Sequence, residues 1–183
     1  MMTTKREFIE KVTILCDTRE QKNQHIINEL DSMGVKHENI KLDFGDYSFR
    51  IDNKDFSMSC IIERKGNINE LWGNITKERK RFEKELQTAR SVANSVNLLI
   101  ENCQDWNSLR VYKVSDEEME RHHRKVKNIG EVIYSTLKSW SSGNRYGFNV
   151  NFAEISEHSA KLILDVFYWY WHNYRELLKP LRK

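Results

Sequence analysis

Ile61-Ile62-Glu63-Arg64-Lys65 is the stretch that decides the fold, because it joins an apolar pair to one acidic and two basic side chains. The residues before the charged triplet predict a buried strand over 57–63. Side chains alternate between the two faces of a strand, so Glu63 and Lys65 point one way while Arg64 points the other. The triplet therefore predicts a carboxylate and an ammonium group side by side near the end of a strand.

Acidic residues also stand near the ends of two other predicted strands. Asp17-Thr18-Arg19-Glu20 follows the apolar run 12–16, and Gly45-Asp46 precedes a predicted strand at 47–51. Any single carboxylate of this set is best interpreted as a solvated charge at a strand end. Taken jointly, the carboxylates favour one acidic site to which three strands contribute.

Hydrolysis of a phosphodiester bond is the chemistry that such a site supports. Magnesium prefers oxygen ligands and retains several waters, so two or three carboxylates at strand ends are a sufficient cage. Glu63 and Asp46 would bind the metal, while Lys65 would orient the attacking water or stabilise the developing negative charge. Gly45 admits a close backbone approach beside Asp46. We therefore predict a metal-dependent phosphodiesterase, and a nuclease in particular.

Composition narrows the class of protein. A chain of 183 residues, 39% of them hydrophobic, is long enough for one domain with a real core. Its net charge of +3 is mild, so a nucleic-acid surface has to be a local patch. Three cysteines without a Cys-x-x-Cys pair predict neither a zinc site nor a disulfide framework. The polar N-terminus and the lack of a membrane-length apolar run predict a soluble, intracellular, cytoplasmic protein.

The spacing of apolar residues predicts an α/β fold with a mixed central sheet flanked by helices. Further strands are predicted at 35–42, 96–100 and 148–152, with a hairpin turn at 52–55. Helices are predicted at 24–33, 68–93, 128–140 and 158–178, the second of them broken near Gly73-Asn74. The element order is strand, helix, three strands, helix, strand, helix, strand, helix. The whole chain, 1–183, is expected to form one nuclease domain with a C-terminal helical extension from about residue 153.

The order of these motifs resembles the XPF-type structure-specific nuclease domain of the restriction-endonuclease-like (PD-D/E-x-K) superfamily. The likeness is carried by Ile14-Leu15-Cys16-Asp17-Thr18-Arg19-Glu20, by Gly45-Asp46-Tyr47 and by Ile61-Ile62-Glu63-Arg64-Lys65. It continues through Arg81-Phe82-x-x-Glu85 and Leu98-Leu99-Ile100-Glu101. The strong motifs span about residues 14–101.

This resemblance implies a magnesium- or manganese-dependent DNA endonuclease. Its substrate would be branched, flapped or forked DNA, in repair, recombination or replication. By the same resemblance Asp46 and Glu63 bind the metal and Lys65 assists catalysis. Asp17 and Glu20 would complete the acidic pocket, with Asp17 as a further metal ligand.

Three arginines, Arg19, Arg64 and Arg81, would orient the pocket or contact DNA phosphate according to the resemblance. The sequence departs from the family pattern four residues after Lys65, where the family often has an aspartate. That position is Asn69 here, and Glu70 stands beside it.

Two alternatives remain open from the sequence. One is a catalytically silent DNA-binding or scaffolding subunit that keeps the nuclease fold, although the intact Asp46, Glu63 and Lys65 argue against it. The other is a restriction or junction-resolving nuclease on the same fold. Neither a tandem helix-hairpin-helix module nor a phosphate-binding Gly-Lys loop is found. DNA is the expected partner, with either a homodimer or an unseen DNA-targeting partner.

Four other features have simpler interpretations. Residues 77–84 resemble a solvated helix face laced with ion pairs, with tracking of DNA phosphates as the functional alternative. His122-His123 are expected to be exposed rather than ligands of a hard cation. The aromatic run 167–171 favours core or dimer interface over base stacking. Residues 113–128 are expected to form a mobile loop or a solvated helix that reaches substrate.

Overall fold

The computed structural model of the chain describes residues 4–121, 125–142 and 145–179. Within them, seven strands form one mixed sheet. They are β1 (Val12–Asp17), β2 (Lys36–Ile40), β3 (Tyr47–Ile51), β4 (Lys54–Asp55), β5 (Cys60–Lys65), β6 (Ser95–Glu101) and β7 (Asn149–Ala153). Their order across the sheet is β2-β1-β3-β5-β6-β7, and the short β4 pairs with β3. The predicted α/β fold with a mixed central sheet is confirmed.

Strand direction brings the predicted acidic segments to one edge of the sheet. β3 runs antiparallel to both β1 and β5, so β1 and β5 end where β3 begins. Tyr47, the first residue of β3, pairs with Cys16 on one side and with Ile62 on the other. Asp46 and Glu63 are the chain neighbours of paired residues, and they therefore lie at the same edge.

Helices cover both faces of the sheet. They are α1 (Lys5–Lys11), α2 (Gln24–Ser32), α3 (Ile68–Ile75), α4 (Arg79–Val92), α5 (Trp106–Val111), α6 (Asp116–Arg121), α7 (Ile129–Ser141) and α8 (Ser159–Leu178), with a 3-10 turn at Ser156–His158. The apolar side chains of α1, α2 and α8 pack on one face, and those of α3, α4, α5 and α7 pack on the other. The predicted helix break lies between α3 and α4.

The long helix α8 forms a layer of the core. It buries side chains that recur every three or four residues, namely Ala160, Ile163, Leu164, Phe167 and Trp171. Because this spacing matches the helical repeat, they form one stripe against the sheet. Core packing is thus the right interpretation for Phe167 and Trp171, whereas Trp169 is 57% exposed.

Some element bounds differ from the predicted ones. Strand β5 begins three residues later than predicted because the Ser57 N–H donates to Asp55 Oδ1 at 2.6 Å, in a turn that continues through Ser59. It also ends two residues later, since Lys65 still pairs in register with Ile100. The short elements α1, α5 and β4 were not predicted, whereas α6 lies in the segment for which a mobile loop or a solvated helix was expected.

Part of the polar segment 113–128 forms α6, which buries none of its residues. His122-His123 lie outside the described residues. No helix of the described ranges combines the length and the apolar character needed to cross a membrane.

Candidate active site

The Glu63-Arg64-Lys65 triplet lies within β5, and its side chains alternate between the two faces as predicted. On one face, Lys65 Nζ donates to Glu63 Oε1 at 2.7 Å. On the other face, the Arg64 guanidinium donates to Glu101. The Lys65 side chain is 8% exposed and that of Glu63 is 24% exposed, so the carboxylate is the more accessible of the pair.

Asp46 reaches Glu63 because the loop before β3 is bonded to the backbone of β5. The Asp46 N–H donates to the Ile62 carbonyl at 2.8 Å, and Asp46 Oδ2 accepts from the Arg64 N–H at 2.7 Å. Gly45 makes this approach possible, since its φ is +71° and an added Cβ would lie 2.9 Å from the Ile62 oxygen.

Negative charge is in excess at this corner of the cleft. Burial and then the neighbouring charge of Glu63 raise the pKa of Asp46 well above its ordinary value. Burial alone would lower the pKa of Lys65, but the charges of Glu63 and Asp46 outweigh it and raise that pKa. The charges of Glu63 and Asp46 thus both act on the Lys65 ammonium group, and clustered carboxylates of this kind attract a cation.

The Asp17 carboxylate does not line the cleft. Its Oδ1 accepts from the backbone N–H and the Nε of Arg19 at 2.7 Å each, and its Oδ2 accepts from Arg19 Nη2 and the Leu42 N–H at 2.8 Å each. Burial acts to raise the pKa of Asp17, but the hydrogen bonds from Arg19 lower it. Asp17 thereby fixes Arg19, whose side chain is 62% exposed and lines the cleft beside Asp46 and Glu63.

Glu20 and Arg64 belong to a buried network on the opposite face of β5. The Arg64 side chain is 5% exposed and its Nη2 lies 3.1 Å from Glu20 Oε1. Glu101, at the end of β6, accepts from Arg64 Nη1 and from Ser159 Oγ, and it lies 2.8 Å from His25 Nε2. This enclosure suits Arg64 to orienting the end of β5 and does not leave its guanidinium within reach of a phosphate.

Arg81 is the third predicted arginine, and it lies on α4 at the rim of the cleft. Its side chain is 63% exposed and its Nε pairs with Glu78 at 3.3 Å and with Glu85 at 3.6 Å. Exposed ion pairs of this kind are weak, so Arg81 is free to exchange them for a phosphate group.

Two acidic residues without a predicted role lie next to the triplet. The signal for Glu101 is its place directly after the apolar run 98–100, the same pattern that marks the triplet. Glu70, at the start of α3, has its Oε1 3.8 Å from Lys65 Nζ. Its neighbour Asn69 instead donates to a tyrosine hydroxyl at 3.2 Å. The acidic side chain of α3 beside the cleft is thus Glu70.

The residues present fit a hard divalent cation whose coordination is completed by substrate and water. Among the described residues, no three His, Cys, Asp or Glu side chains are grouped closely enough to hold a metal ion by themselves. Magnesium, however, is usually bound through one or two carboxylates together with waters and substrate phosphates. Asp46 and Glu63 supply two such carboxylates, and burial together with the charge of Glu63 raises the pKa of Asp46, an effect that a bound cation would oppose.

Residues 16–166 of the sequence match the ERCC4 domain. The chain belongs to this family. Among solved structures, this ERCC4 domain is similar to XPF from Aeropyrum pernix, with 17% identity and a TM-score of 0.59 over 93% of this chain and 68% of that chain. It is also similar to XPF from Aeropyrum pernix in complex with DNA, with 18% identity and a TM-score of 0.58 over 86% of this chain and 64% of that chain. No curated protein sequence matches significantly.

These relationships confirm the resemblance to the XPF-type nuclease domain. At 17–18% identity, the likeness to the two solved structures establishes the fold. The ERCC4 domain spans 64–68% of the length of those XPF chains. Membership of the family supports nuclease activity on DNA.

Proposed function

We propose that this ERCC4 domain is a metal-dependent endodeoxyribonuclease that hydrolyses phosphodiester bonds in branched, flapped or forked DNA. The observation that carries the proposal is the convergence of Asp46, Glu63 and Lys65 in one open cleft, with negative charge in excess. Family membership supports the same activity.

Asp46 and Glu63 would hold a magnesium or manganese ion. When bound, such an ion neutralises charge on the phosphate and lowers the pKa of a coordinated water. Lys65 Nζ lies 2.7 Å from Glu63 Oε1, so it can hydrogen bond to a water or a phosphate oxygen at the same point. Its raised pKa keeps it protonated at neutral pH, and it therefore acts as a donor that stabilises negative charge rather than as a base.

Basic side chains around the cleft would hold the DNA backbone. Arg19, fixed by Asp17, and Arg81 lie at the rim. On the same helix, Lys80 and Lys84 are exposed and have no ion-pair partner among the described residues. Four residues on a helix span about 6 Å, so these two lysines extend one line of positive charge that suits phosphates. A homodimer or a DNA-targeting partner would add the remaining contacts.

A panel of labelled substrates tests the proposal. Duplex, fork, flap and four-way-junction DNA are incubated with the purified chain, with and without magnesium or manganese. The variants are Asp46→Asn and Lys65→Ala. Matched controls are Asp52→Asn, at a turn residue with φ +51° that asparagine tolerates, and Lys36→Ala on the exposed edge strand β2.

Metal-dependent cutting should fall by about 10²–10³-fold in Asp46→Asn and Lys65→Ala, by analogy with removal of one charge-stabilising group in other enzymes. Both controls should cut normally. Binding without cutting under any metal would overturn the proposal and favour a catalytically silent subunit. Cutting confined to one duplex sequence or to four-way junctions would instead favour a restriction or junction-resolving nuclease.

A further inference from the structure

An apolar recess extends the cleft beyond the proposed catalytic groups. The cavity as a whole measures about 250 Å³. Its floor is formed by Ile61 of β5 and Val96 of β6, which pair in register. Phe44, in the loop before β3, and Phe82, Leu86 and Ala89 of α4 complete the apolar lining.

The recess opens directly onto the carboxylates. Ile61 and Glu63 are two residues apart in β5 and therefore share a face of the sheet, about 7 Å apart along the strand. Phe44 stands two residues before Asp46 in the loop that Gly45 holds against β5. A phosphate bound at Lys65, beside Asp46 and Glu63, would thus have its neighbouring sugar and base at the mouth of the recess.

The chemistry of the lining selects a flat and neutral group. Four carboxylates and three basic side chains line the cleft, but Ile61 and Val96 at the floor of the recess are apolar. An apolar floor cannot solvate a second phosphate. A nucleobase has no charge, its face stacks on an aromatic ring such as Phe44, and its N–H edge can donate to a carboxylate.

We propose that this recess binds one unpaired nucleobase beside the scissile phosphate. The inference rests on the proposed nuclease function and names its substrate class. A paired base must be unstacked and extruded before it can enter such a pocket, which opposes cutting of continuous duplex. A flap, fork or bulge offers a base that is already unpaired. The cleft itself would therefore read branched DNA through one exposed base.

Two variants of the recess and two matched controls test this assignment in the full chain. Ala89→Leu fills the recess, and Phe44→Ala removes its aromatic wall. Gln87→Leu introduces the same leucine at an exposed position of α4 outside the cleft, and Phe152→Ala removes a half-buried ring elsewhere. Thermal melting of each variant establishes that it is folded before DNA is added.

The substrate is varied as well as the protein. A flap DNA carries a single abasic residue that is moved one nucleotide at a time through the junction between duplex and single strand. Binding is measured with calcium in place of magnesium, and cleavage is measured with magnesium. Binding and cleavage by each protein variant are compared between the intact and the abasic DNA. The difference between these two comparisons measures the coupling between the recess and the base.

Both recess variants should weaken binding and cleavage of the intact flap by roughly 5- to 100-fold, the range for stacking one base on an aromatic ring. With the abasic residue at one position of the flap, binding and cleavage by the wild-type chain should fall by the same factor. At that position, binding and cleavage by the two recess variants should fall no further. The controls should match the wild type on every DNA. Equal losses on intact and abasic DNA, or no loss at all, would overturn the proposal.

Failure of this inference differs from failure of the proposed function. Cutting that is insensitive to the base would leave the nuclease in place and remove the recess as a base site. Binding that depends on the base, without cutting under any metal, would keep the recess and remove the nuclease.

Discussion

The two faces of β5 treat charge in opposite ways. On one face, Arg64 is enclosed between carboxylates, and the partner Glu101 is only 2% exposed. On the other face, Asp46 and Glu63 lie at the edge of an open cleft, where negative charge exceeds the positive charge beside it. Three consecutive charged residues thus supply one residue that is enclosed in the fold and two that line the open cleft, because alternate side chains point to opposite sides.

The two faces of β5 separate residues that stabilise the fold from residues of the proposed active site. A buried ion pair with all partners present is costly to break, since removal of one member leaves an uncompensated charge. Repulsion between neighbouring carboxylates raises the energy of the folded chain, and such arrangements are typical of functional sites. Substitutions on the two faces should therefore separate loss of fold from loss of function.

The largest effect is expected from Arg64→Met, which leaves Glu101 and Glu20 without their buried cation. We expect a loss of about 3–5 kcal/mol in the free energy of unfolding, measured by urea denaturation. The exposed arginine Arg110, paired with Glu131, provides the control, and Arg110→Met should unfold at nearly the wild-type urea concentration. Equal midpoints for the wild type and Arg64→Met would erase the distinction between the two faces.

Glu63→Gln should have the complementary result. Cleavage of flap DNA with magnesium should fall by about 10²–10³-fold, whereas the urea midpoint should stay within the wild-type range or rise. Glu154→Gln, at an exposed position after β7, controls for loss of one carboxylate. A variant that is inactive because it is unfolded would show that the cleft face also holds the structure.

Ser159→Ala tests the contribution of one hydrogen bond to the buried network around Arg64. Ser159 Oγ donates to Glu101 Oε1 at 2.6 Å, while Arg64 and His25 remain to solvate that carboxylate. We expect a loss of about 1.5 kcal/mol in unfolding free energy, at the lower end for a hydrogen bond to a charged group, with cleavage unchanged. Ser156→Ala, just before the helix, is the control. A selective fall in cleavage would place Glu101 in the chemistry.

The smallest effect has the opposite sign. Asp46→Asn should stabilise the chain by about 1 kcal/mol at neutral pH in EDTA, because it removes a repelled carboxylate while its amide oxygen can still accept the Arg64 N–H. Folding raises the pKa of the Asp46 carboxyl group above its ordinary value of 3.8. Such a group destabilises the folded state progressively as the pH rises from 3.8 toward the raised pKa.

The gain from Asp46→Asn should therefore vanish as the pH is lowered to about 4, where the wild-type carboxyl binds its proton. Magnesium should raise the melting temperature of the wild-type chain and leave that of the variant unchanged. Thermal melting at several pH values checks both statements. A variant less stable than the wild type at neutral pH would contradict the charge excess inferred for the cleft.

Much of the fold follows from sequence pattern. Strand β3 has the predicted bounds, and the strands at 12–16 and 96–100 are each found within one residue of their predicted ends. The meeting of Asp46 and Glu63 was also predictable, because it needs only apolar runs with acidic ends and a glycine. The short helices α1 and α5 were not, since segments of six or seven residues are helical mainly through caps and packing.

The orientation of the remaining site residues needed the structure. The sequence pattern puts Asp17 at a strand end like the others, yet its carboxylate is saturated by Arg19 and Leu42. The hydrogen bond from Leu42 depends on a loop that lies 25 residues away in the chain. Likewise, the enclosure of Arg64 depends on Glu101, which is 37 residues away in the chain. Patterns of a few residues carry no information about such contacts.

The buried network around Arg64 also has an evolutionary consequence. Because it anchors β5 without using Asp46, Glu63 or Lys65, the protein can lose its chemistry by one conservative exchange and still fold. Selection for folding alone would preserve the Arg64 network and would allow substitutions at Asp46, Glu63 and Lys65. A lineage could thus lose the proposed cleavage of DNA by a single substitution, whereas recovery becomes harder as further groups of the cleft are lost.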